Sequence, residues 1–159
     1  MERMILPKTG KMSRVIKMKT NKEILSSILK TTQMGQVGIR SILDTSMRPG
    51  LRKALESQLQ EYASIENEAH AIASQRGWEL PELDPGARFM SEMMTRAKLA
   101  HGNADSKIAG MMIQGNTRGM ILSLKNMRRC DCPDPQVADL SQKLLDTEKN
   151  NIVSMQGFV

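Results

Sequence analysis

Several side chains with useful chemistry fall where a helical period of about 100° per residue turns them away from water: Gln36, Gln58, Glu66, His70, Asn116, Glu148 and Asn151. Asn116 is the clearest. In the stretch Ala104 to Arg129, the residues Lys107, Gln114, Arg118, Lys125 and Arg129 share one stripe, while Asn116 sits on the opposite stripe among Ala109, Met112, Gly119, Met120 and Met127. An amide offers two donors and two lone pairs, and leaving a buried polar group unpaired costs about 1–3 kcal/mol. These groups are therefore expected to meet one another or trapped water, forming a core polar network through Gln36, Gln58, Asn116 and Asn151. No catalytic set is expected: no phosphate-cradling glycine loop, nucleophile elbow or zinc-protease helix is present.

The elements that must position these groups are helices, and the chain reads as all-α. Methionine is abundant at 14 copies, aromatic residues are scarce and β-branched runs are few. A first helix is expected from about Asn21, as N-cap, to Leu43, burying Ile24, Leu25, Ile28, Thr32, Ile39, Ile42 and Leu43, with Gln36 about 60° from the centre of that face. Gly35 and Gly38 cost helix propensity, so a neighbour is expected to approach closely there. The turn Ser46 to Gly50 separates it from a second helix, Leu51 to Arg76, stopped by Gly77. Gln58 and Glu66 lie within its core face, His70 at the edge and Asn67 outside.

A connector, Trp78 to Gly86, and a short helix over about Ala87–Leu99 read as a long crossover. His101 stands at the joint before the next helix, as a loop residue. After Ala104–Arg129 the loop CDCPDP leads to a last helix from Pro135 to about Met155, whose stripe is Val137, Leu140, Leu144, Leu145, Ile152 and Met155. Glu148 falls about 10° and Asn151 about 50° from the centre of that stripe.

Pairing of long helices around a crossover, with inward polar residues halfway along each, resembles the ferritin-like superfamily over about residues 21–155. The segments MGQVGIRSILD (Met34 to Asp44) and IQGNTRGMILSL (Ile113 to Leu124) look like helix motifs of its small uncharacterised four-helix-bundle members. The resemblance implies a ferritin-like four-helix bundle with a short extra helix in the crossover. Di-metal members use a glutamate from each of two helices and Glu-x-x-His from the others. This chain has Gln36 and Asn116 at the glutamate positions, Asn151 where a histidine would stand, and Glu66 with His70 one residue wider than the motif. Neutral amides do not balance two divalent or trivalent ions. The leading expectation is a non-catalytic structural or binding protein without a cofactor. The alternative is iron or manganese at a reduced site of Glu66, His70 and Glu148.

Composition bounds the remaining classes. The formal net charge is +6, but Arg3, Lys8, Lys11, Arg14 and Lys17 stand against Glu2 alone in the first 17 residues, leaving +2 on the rest. The division expected is a basic extension over 1–20, flexible, and a single bundle domain over 21–159. Met18 is a plausible natural start. Nucleic-acid binding through Lys107, Arg118, Lys125, Arg128 and Arg129 is a second alternative; no aromatic platform accompanies that face. No apolar run is long enough to span a membrane. Cys130 and Cys132, one residue apart, read as reduced thiols in a cytoplasmic protein. Apolar and Met-rich surface suggests a homo-oligomer, a dimer first.

Overall fold

The computed structural model describes residues 17–81 and 102–159. The described part is all-helical, with four long helices: α1 (Asn21–Ile42), α2 (Pro49–Arg76), α3 (Ala104–Arg128) and α4 (Pro135–Gln156). The short helix expected over about Ala87–Leu99, the joint residue His101 and residues 1–16 of the basic extension lie outside the described residues.

Local chemistry sets the ends. Thr20, rather than Asn21, caps α1: its hydroxyl accepts from the Glu23 backbone N–H at 3.1 Å, while the Glu23 carboxylate accepts from the Thr20 N–H at 2.8 Å. This is a capping box. Asn21 instead bonds across the molecule, accepting from the Asp134 N–H at 2.9 Å and donating to the Cys132 carbonyl at 2.8 Å. α2 begins two residues before the expected Leu51, because Pro49 fits the first helical turn without needing its missing N–H. It ends at Gly77, left-handed with φ 66°. Asp134 caps α4, accepting from the N–H groups of Gln136 and Val137.

Two cross-links fix the helix directions. Asp105, opening α3, pairs at 2.5 Å with Arg48, which precedes α2. Arg76, closing α2, pairs at 2.6 Å with Asp134, which opens α4. At the other end of α3, Asn126 donates to Ser27 Oγ of α1 at 2.8 Å and accepts from Lys19 Nζ. Thus α2 and α3 run parallel, and α1 and α4 run opposite to them. The main packed pairs are α1 with α2, α3 with α4, and α2 with α4; α1 and α3 touch more sparsely. That sparse seam is where the pocket described below lies.

The core is aliphatic, with Leu25, Ile39, Leu51, Leu55, Ile65 and Ile108 fully buried. Trp78 and Leu80, just beyond α2, pack against it. In the second half of α3 Gly119 is buried as expected, and Met120 and Met127 are half-buried. Ser123 and Asn126 are buried while Ile121, Leu122 and Leu124 are exposed. Position outranks residue type here: Asn116, Gly119, Ser123 and Asn126 continue one helical face, and Asn126 is admitted because Ser27 and Lys19 satisfy its amide. Lys19 is held further by its backbone N–H, which donates to the Arg129 carbonyl at 2.8 Å. Among the described residues, no helix is long and apolar enough to cross a membrane.

Candidate functional site

Halfway along the bundle, Tyr62 of α2, Asn116 of α3 and Glu148 of α4 meet. The Tyr62 hydroxyl lies 2.7 Å from Asn116 Oδ1 and 3.0 Å from Glu148 Oε2. All three side chains belong to buried residues, Glu148 at 1 % exposure. Two glycines make room for them. A Cβ on Gly35 of α1 would stand 2.6 Å from the Tyr62 ring, and one on Gly119 of α3 would stand 2.5 Å from Glu148 Oε1. The close neighbour expected near Gly35 is thus the edge of Tyr62.

Burial pushes the Glu148 carboxyl up to about 8, against the opposing hydrogen bond from Tyr62. Burial, followed by the charge Glu148 would carry, also raises Tyr62 well above the usual phenol range, while nearby Asn151 acts the other way. At neutral pH both groups hold their protons. A phenol has one proton to donate, so the order that uses both protons is directional: the Glu148 O–H donates to the Tyr62 oxygen, and the Tyr62 O–H donates to Asn116 Oδ1. Asn116 Nδ2 is then left over. It is buried and has no partner among the described residues, and the same holds for Asn151 Nδ2.

The other inward carboxylate sits in a separate cluster on the α1–α2 seam. Glu66 accepts from Gln33 Nε2 at 3.1 Å through one oxygen and from Gln36 Nε2 through the other. His70 stands 3.6 Å from the first of those oxygens, with its side chain 55 % exposed. Gln36 also accepts from Arg40 at 3.3 Å. Gln58 is buried at 2 % exposure, but neither end of its amide has a partner among the described residues.

The inward residues therefore divide. Gln36 joins Glu66, and Asn116 joins Glu148 through Tyr62, whereas Gln58 joins neither group. The set Glu66, His70 and Glu148 is not gathered at one point. Among the described residues, no three His, Cys, Asp or Glu side chains are grouped as metal ligands. Two amides hold the Glu66 carboxylate, and a phenol occupies Glu148. A di-metal centre needs several carboxylates converging, and this donor chemistry does not fit one.

Tyr62 and Gln33 are the members that sequence reasoning missed. Spacing alone assigns Tyr62 to the core face of α2 and nothing more, although a buried tyrosine hydroxyl normally needs a partner, and that requirement is the available signal. Gln33 carried none, since it lies one turn before Gln36 at the rim.

Between α1 and α3 a pocket of about 290 Å³ reaches this centre. Met34, Met112 and Leu122 form its apolar walls, and Tyr62, Asn116 and Glu148 also line it. On the outer surface Lys107, Arg118, Lys125 and Arg128 are exposed, and Arg129 is half-buried. Cys130 and Cys132 are free; the Cys130 thiol lies 3.5 Å from Asn21 Oδ1.

No family model and no curated protein matches the chain. Among solved structures it is similar to the crystal structure of a DUF305 fragment from Deinococcus radiodurans, with a TM-score of 0.71 and 15 % sequence identity. That match covers 89 % of this chain and 96 % of the other. At such identity the likeness concerns the fold alone, which is helical in both.

Proposed function

We propose that this chain is a ferritin-like four-helix bundle in which an uncharged hydrogen-bonded core stands in place of a di-metal centre, and that it serves as a non-catalytic binding protein. The ferritin-like reading draws support from parallel α2 and α3 joined by one long connection, an arrangement those folds share, and from polar residues midway along each helix. The observation that carries the functional reading is the Glu148–Tyr62–Asn116 contact. A phenol bonded between a protonated carboxyl and an amide uses the groups a metal would need.

The test is calorimetric titration of purified, chelator-treated protein with iron(II) and manganese(II). The expected result is no saturable heat and no change in melting temperature between metal and chelator. Stoichiometric binding that disappears in Glu148→Gln would overturn the proposal.

Self-association as a dimer belongs to the same reading, supported by exposed Val37, Ile121, Leu122 and Leu124. Sedimentation as a monomer at all concentrations would remove it.

A further inference from the structure

We infer that the pocket between α1 and α3 binds a small uncharged molecule with an apolar body and one carbonyl oxygen, which accepts a hydrogen bond from Asn116 Nδ2. The inference rests on the metal-free reading of the polar core and names the ligand class of that same site.

The volume sets the size. An apolar cavity of roughly 150 Å³ accommodates one benzene, so about 290 Å³ suits a ligand of roughly a dozen non-hydrogen atoms. The walls set the body: Met34, Met112 and Leu122 present thioether and aliphatic surface, and methionine adapts to varied shapes. The floor sets the head. Asn116 is 2 % exposed and lines the pocket, its Oδ1 is taken by Tyr62, and its Nδ2 has no partner among the described residues. A buried N–H donor left over after the internal bonds are made calls for an acceptor.

The acceptor is uncharged because burial keeps the Glu148 floor neutral, and Arg118, the cation in the lining, is exposed to water. An anionic head would lose its hydration among apolar walls. A cationic head has no use for an N–H donor. A ketone, ester or amide oxygen satisfies Asn116 with no charge to bury.

The experiment compares isosteric probes in the presence of chelator: benzylacetone as the ketone, isopentylbenzene as its hydrocarbon twin and hydrocinnamate as its carboxylate twin. Binding is followed through the methyl resonances of Met34 and Met112. The expected result is saturable shifts with the ketone about tenfold tighter than the hydrocarbon, the worth of one buried hydrogen bond, and hydrocinnamate weaker than the ketone. In Asn116→Leu the ketone preference disappears while the hydrocarbon still binds.

Gly115 also lines the pocket, and a Cβ there meets nothing within 4 Å. Gly115→Leu therefore fills the pocket without disturbing the floor and abolishes shifts by all probes. Absence of shifts in the wild type, equal affinity for ketone and hydrocarbon, or tighter binding of hydrocinnamate would each overturn the inference. Metal uptake would sink the reading of the polar core whatever the probes do. Probe failure without metal uptake would sink this inference alone.

Discussion

Glu148 is the residue whose state decides what the core can do. Its carboxyl ionises near 8 in the folded chain against an ordinary 4.5, with burial as the cause. In the interval between those values the native state holds a proton that the unfolded state has released. Stability therefore falls as pH rises through the interval, by up to about 1.4 kcal/mol per pH unit, and levels off above the folded value. Glu148→Gln removes this dependence: urea melts should show the variant close to wild type at mildly acid pH and more stable above pH about 8. A wild-type stability that is flat or rising across the interval would contradict the assignment. Tyr62→Phe leaves both Asn116 Oδ1 and Glu148 without their shared partner. It should cost about 1–3 kcal/mol at neutral pH, read by the same melts.

At the scale of the helices, glycine sets how closely α1 and α3 approach the centre. Gly35→Ala and Gly119→Ala each introduce a methyl under 3 Å from Tyr62 or Glu148. The ring is rigid, and Glu148 cannot swing aside without breaking its bond to Tyr62. Overlap should outweigh the gain in helix propensity, leaving a net loss of about 1–2 kcal/mol. Gly110→Ala is the control, since a Cβ there meets nothing within 4 Å; it should stabilise by up to about 1 kcal/mol. Thermal melts that find all three variants more stable than wild type would show that propensity, not contact, governs these positions.

The same elements show what the sequence makes legible. Helical spacing alone places Gln36, Gln58, Asn116, Glu148 and Asn151 inward, and all are buried, because the angle between residues on one helix is fixed by its geometry. Which of them touch depends on how far neighbouring helices slide along each other. Spacing says nothing of that, so the Tyr62 link and the separation of Glu66 from the Glu148 cluster emerge only in three dimensions. Residue type misleads in the second half of α3, where Asn126 is buried and Leu124 is not. Asn126 is accommodated by Lys19 and Ser27, from a part of the chain about a hundred residues away.

For the whole molecule, we propose a helical bundle whose inward carboxylates are held by hydrogen bonds rather than by bound ions. The two inward carboxylates are handled separately: Glu66, near the rim, is held by glutamine amides, and Glu148, in the centre, keeps its proton beside a tyrosine. Separation of this kind opposes metal capture, which draws carboxylates together. It leaves the pocket on the α1–α3 seam with apolar walls of Met34, Met112 and Leu122, an exposed Arg118 in its lining, and a neutral floor.

The most direct measurement is the carboxyl carbon resonance of Glu148, followed by NMR from acid to pH about 9 with and without manganese(II). The expected result is a protonated carboxyl at neutral pH, a midpoint near 8, and no site-specific broadening when the metal is added. A carboxylate already ionised at neutral pH, or one whose signal is lost selectively to manganese, would contradict it.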